Sequence, residues 1–143
     1  AFKKIADKEK LFISRGDNSG THKKELSIWK SLNIDTTRKR WYQEAGLGMG
    51  ETLNIADEKK GYTLTDRATY LTLKKNLKLK VLVEDKNNLK NTYSIIIVNP
   101  NLFKKVNYEG AKALADFLIS KESKKLIEDF NLKKYNEPAF IPF

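Results

Sequence analysis

Apolar residues in this chain come in short blocks, and the spacing inside each block separates strands from helices. Leu11, Phe12 and Ile13 form a run that reads as the end of a strand, and residues 22–32 read as a helix. Residues 38–44 form a polar segment, a short helix by this reading, that runs into Gly46, Gly48 and Gly50. A helix is predicted over 51–59 and is ended by Gly61. Residues 62–65 carry β-formers, and Asp66 is placed to cap a helix over 67–76. Residues 79–83 alternate like a strand, with a turn at Asn87 and Asn88. Residues 93–98 are nearly all apolar, as in a strand buried on both faces of a parallel sheet, and Asn99-Pro100 closes the run. Ala111, Leu114, Ala115, Leu118 and Ile119 mark one face of a helix capped by Asn107. A second helix over 121–131 carries Leu126, Ile127 and Phe130, and the tail from 135 to 143 packs as irregular chain. Alternating strands and helices imply an α/β fold with a mostly parallel sheet, in which ligands sit beyond the carboxyl ends of the strands.

Composition narrows the class. A chain of 143 residues is one ordinary domain or a piece of a two-lobed protein. Its 40% hydrophobic content indicates a globular protein. The net charge of +10 is uneven: 20 basic against 12 acidic residues up to position 91, then 8 against 6. The front part would attract an anion, although solvated lysines of a lysine-rich proteome account for the bulk charge equally well. Without cysteine there is no disulfide, thiolate nucleophile or cysteine metal site. No apolar run approaches the ~18 residues of a membrane span. The chain starts Ala-Phe-Lys-Lys without a signal peptide, which reads as a processed or trimmed start.

The segment from Ser14 to Thr21 carries the chemistry. A strand end, a glycine-bearing turn and a helix start leave unpartnered amides where the helix dipole is positive. Ser19 and Thr21 add hydroxyl donors, Gly20 lets an anion approach the backbone, and Arg15 adds a guanidinium. The segment from Thr63 to Arg67 repeats the arrangement. Arginine opposes the dipole in a first helical turn, so Arg67 implies an anion or a carboxylate nearby, with Asp66 or Asp17 as internal candidates. The amides, hydroxyls and guanidinium of the first segment donate hydrogen bonds, and none attacks a substrate.

Other chemistries are poorly served. Gly16-Asp17-Asn18-Ser19-Gly20 looks like a protease nucleophile loop, but the single histidine, His22, lies on the same local element and cannot act as a separate base. His22 is expected as an exposed first-turn residue, and one histidine excludes multi-histidine metal sites. Gly46-x-Gly48-x-Gly50 lacks the dinucleotide spacing and reads as a tight turn. Arg38-Lys39-Arg40-Trp41-Tyr42 suggests a basic nucleic-acid-binding domain, against a solvated face with Trp41 packed inward.

On the segments 12–25, 46–50 and 62–67, with the Val98-Asn99-Pro100 turn and the final helices, the chain resembles the solute-binding proteins of ABC importers, specifically the tungstate-binding type of class II periplasmic-binding-protein-like folds. The Arg-x-x-x-Ser-Gly-Thr pattern is also similar to phosphate-binding relatives. The resemblance implies a clamshell that closes on a tetrahedral oxyanion in the periplasm or at the cell surface and delivers it to a permease. It implies no catalysis, no cofactor, no nucleic-acid partner and no protein-held metal ion, tungstate or molybdate being bound as an oxyanion. Carried onto this sequence, the ligand contacts are Ser14, Arg15, Ser19, Gly20, Thr21 and Thr65, with Asp66 and Arg67 in or just behind the contact layer. The family's first lobe and its Thr/Ser-rich loop have no counterpart here. Residues 1–91 therefore correspond to the second lobe and 92–143 to the segment returning to the first. The expectation is a truncated protein whose returning segment packs elsewhere, by exchange with a second copy.

Overall fold

A computed structural model describes residues 1–142. The chain divides into two compact units, Ala1–Leu89 and Lys90–Phe143. In the first unit the order is α1 (Phe2–Asp7), β1 (Phe12–Ser14), α2 (Gly20–Ser31), β2 (Tyr42–Glu44), α3 (Met49–Glu58) and α4 (Arg67–Leu73), the last continued by a 3-10 turn, Lys74–Asn76.

The parallel strands β1 and β2 pair Phe12 with Tyr42, Ile13 with Gln43 and Ser14 with Glu44. On the other side of β1, Tyr62 forms a single parallel bridge with Phe12. Flanked on both sides, β1 is buried at all three residues, as its unbroken apolar run requires. Phe12 lies in a cluster with Ile5, Trp29 and Trp41. The rings of Phe12 and Trp29 meet edge-on at 5.3 Å, and Trp29 and Trp41 approach to 5.5 Å. Helix α3 packs on β1 and on α4, burying Met49, Leu53 and Ala56. Trp41 does pack inward, but residues 38–44 form a turn and then β2, because Tyr42 supplies the sheet partner of Phe12.

In the second unit, α5 (Tyr108–Leu118) is capped by the Asn107 side chain, which accepts from the Gly110 amide. Helix α6 (Lys121–Tyr135) is capped by Ser120 and runs past the predicted end at 131. The irregular tail is pinned to it: Asn131 Nδ2 donates to the Phe140 carbonyl, and Asn131 Oδ1 accepts from the amides of Ala139 and Phe140. Phe143 lies outside the described residues.

Two expected strands do not form. Residues 79–83 are irregular, and the amides of Lys78 and Leu79 donate to Asp57 Oδ1, not to a strand. Residues 93–98 are likewise irregular, with Ile96 87% exposed where burial on both faces was expected. A β-rich segment becomes a strand only when another strand pairs with its backbone, and neither segment has such a partner among the described residues. The expected strand over 62–65 is reduced to the one bridge at Tyr62.

Candidate functional site

Because β1, β2 and Tyr62 run parallel, the three segments that follow them leave the sheet at one edge. The loop after β1 leads to α2, the Gly46–Gly48 turn leads to α3, and residues 63–66 lead to α4. Both expected anion-facing segments therefore share that edge.

The β1–α2 loop folds on its own side chains. Gly16 takes φ +63°, and a Cβ there would meet Glu44 Cβ at 2.7 Å, so the position is closed to any side chain. The Gly16 amide donates to Ser14 Oγ at 3.2 Å, the Asn18 amide to His22 Nδ1 at 3.0 Å, and the Ser19 amide to Asp17 Oδ1 at 3.1 Å. Ser19 caps α2, its Oγ accepting from the His22 amide. The amides of Gly20 and Thr21 have no acceptor among the described residues, and the space beside Gly20 is empty to 4 Å. These are the orphan donors that a helix start supplies.

Arg15 is held by Asp17 at 2.5 Å, while its Nε is buried without a partner. The Ser19 hydrogen bond, assisted by Arg15, keeps the Asp17 carboxyl below the usual range. Ser14 has no accessible surface at all. In this conformation it offers a ligand nothing to touch, and it supports the loop from below through Gly16.

Thr65 Oγ1 donates to the Asp66 carbonyl at 3.0 Å. Asp66 caps α4, each carboxylate oxygen accepting once from Thr69. Arg67 pairs with the carboxylate of Glu84.

His22 is a correction. Expected in solvent, it is 5% exposed, because Nδ1 must face inward to reach the Asn18 amide. Beneath the loop lies a polar cluster that the sequence reading missed. Glu25, 2% exposed, accepts at Oε1 from Trp29 Nε1 at 3.0 Å and from Tyr42 Oη at 2.8 Å. Burial pushes the Glu25 carboxyl up, against hydrogen bonds from Ser14, Tyr42 and Trp29 and the field of His22. Burial also raises the Tyr42 phenol. The available signal was Glu25 one helical turn before Trp29, a carboxylate in register with a large aromatic residue on one helix face.

The family model of the PBP superfamily domain matches residues 1–122. The tungstate-binding protein TupA of Peptoclostridium acidaminophilum is 46% identical over 142 residues, 99% of this chain and 49% of that protein. The tungstate-binding protein TupA of Campylobacter jejuni is 43% identical over 141 residues, 96% of this chain and 52% of that protein. A solved structure, the tungstate binding protein TupA from Desulfovibrio alaskensis G20, matches with a TM-score of 0.81 at 41% identity, over 99% of this chain and 58% of that one. The chain spans about half the length of the curated relatives it matches.

Proposed function

We propose that this chain, which belongs to the PBP superfamily and has its α/β fold, is the oxyanion-holding part of an extracytoplasmic tungstate-capture protein that serves an ABC permease. The observation that carries the reading is the run Arg15 to Thr21: free amides at Gly20 and Thr21 beside a buried, unpartnered Arg15 Nε–H. Ser19, Thr21 and Thr65 add hydroxyls at the same edge of the sheet. Relatives at 43–46% identity bear tungstate-binding names, which supports the choice of ligand.

The charge states favour a bare dianion. Hydrogen phosphate needs an acceptor for its proton, but Asp17 is bound to Arg15 and Ser19, and Asp66 to Thr69. Donors alone suit tungstate or molybdate, each charge-assisted bond contributing roughly 1.5–3 kcal/mol. Catalysis finds no support at Ser19. Its Oγ accepts from an amide, and the neighbouring imidazole Nδ1 is committed to Asn18 and so is not available to it as a base.

Residues 1–91 act as one lobe, and 92–143 as the segment that returns to another. The exposure of Leu114, Phe117 and Leu126, on helices whose apolar faces should be covered, supports this division.

Calorimetry of the full-length protein with tungstate, molybdate, sulfate and phosphate checks the proposal. Tungstate and molybdate should bind and phosphate should not; silence with all four ends the reading. Arg15→Gln should weaken tungstate binding by roughly 1.5–3 kcal/mol, the worth of a charge-assisted bond.

A further inference from the structure

The oxyanion loop contains a buried imidazole to which the fold gives one bond and leaves one donor over. The His22 side chain is 6% exposed. Its Nδ1 accepts the Asn18 N–H at 3.0 Å, and a ring nitrogen that accepts carries no proton. The neutral ring therefore bears its hydrogen on Nε2. That Nε2–H is buried without a hydrogen-bond partner, as is Arg15 Nε–H in the same loop. A carboxylate oxygen of Glu44, at the end of β2, lies 3.8 Å from Nε2, beyond hydrogen-bond reach. Glu25 lies within electrostatic range on the same helix. Two buried donors without acceptors are costly, and a loop retains them where its geometry serves something else.

Resting on the oxyanion reading of this loop, we propose that His22 is its positioning residue. Nδ1 is the acceptor that holds the Asn18 amide while Asn18 sits at φ +60°, a conformation that asparagine tolerates only at some cost. Asn18 in turn sets the direction in which the chain enters α2, and so where the Ser19 hydroxyl and the Gly20 and Thr21 amides point. Four side chains share this work: Ser14, Asp17, Ser19 and His22 each accept one amide of the segment 16–22, which leaves the amides of Asp17, Gly20 and Thr21, the last two at the helix start where an anion would sit. His22, like Ser14, reaches the loop from the interior, so its acceptor is fixed by packing. The hydrogen bond to Asn18 requires the tautomer with its hydrogen on Nε2, since a hydrogen moved to Nδ1 would oppose the Asn18 N–H.

Two substitutions separate this role from mere filling of space. In His22→Asn the Oδ1 replaces Nδ1, whereas in His22→Gln the amide lies one bond further along and replaces Nε2. Calorimetry of the full-length protein with tungstate should find His22→Asn within about threefold of the parent and His22→Gln weaker by about tenfold or more, the size of one lost buried hydrogen bond. Equal losses in the two variants overturn the proposal. ¹⁵N spectroscopy of the imidazole, in the parent protein without anion, should report Nδ1 unprotonated and coupled to the Asn18 amide. A protonated Nδ1 overturns the proposal whatever the variants do. A parent protein that does not bind tungstate removes the oxyanion reading, while the ¹⁵N result still decides whether His22 holds Asn18.

Discussion

Glu25 shows at the residue scale how burial and hydrogen bonding compete. Its pKa is raised in the folded state, so between the ordinary carboxylate value and the raised one the folded protein binds more protons than the unfolded chain. Its contribution to stability is therefore full at acid pH and is lost as pH rises through that window. Glu25→Gln should flatten this part of the pH–stability curve, read by denaturant titration at several pH values. Glu25→Leu should destabilise at every pH, because it strands Trp29 Nε1 and Tyr42 Oη, at about 1–3 kcal/mol for each stranded group. Gly16 is the second informative residue. Alanine there would face both the left-handed backbone, roughly 1–2 kcal/mol, and the Glu44 Cβ. Gly16→Ala should lower the melting temperature and weaken tungstate binding together, measured by thermal denaturation and calorimetry.

Among the elements, β1 and α4 carry separable energies. Phe12 is 1% exposed and touches the rings of Phe2, Trp29 and Tyr42, so Phe12→Ala should cost about 3–5 kcal/mol in denaturant unfolding. Asp66 acts through the cap of a seven-residue helix, and Asp66→Ala should cost about 1 kcal/mol in the same measurement. The caps at Asp66 and Asn107 were legible in the sequence because a cap is a local contract between a side chain and an amide two or three residues on. The strand expected over 93–98 was not, because a ladder needs a partner distant in sequence, and apolar β-formers say nothing about whether one is present.

For the molecule as a whole, the two units differ in how well they cover themselves. The first buries Ile5, Phe12, Ile13, Trp29, Trp41, Met49, Leu53, Ala56 and Leu71. In the second, Ala115 is the buried apolar residue among those described, and Ile96, Leu102 and Leu132 are largely exposed. Exposed apolar faces of this kind favour association. Light scattering of this 143-residue chain over a concentration series should show self-association if the second unit exchanges between copies; a monomer at every concentration would exclude exchange. The basic surface has its own check: a steep salt dependence of DNA binding would favour the nucleic-acid reading, and its absence the oxyanion.

The sequence alone determined what is local: the α/β alternation, the helix caps and the donor-rich run from Arg15 to Thr21. Tertiary structure decided what depends on distant partners. It turned residues 38–44 into a turn and the strand β2, buried His22, gave Arg67 to Glu84, and placed Glu25 under the loop between Trp29 and Tyr42. A cap or a helical face is specified by residues within about one turn of each other. The fate of a carboxylate or an imidazole depends on which remote side chains the fold brings beside it, and no short stretch of sequence encodes that neighbourhood.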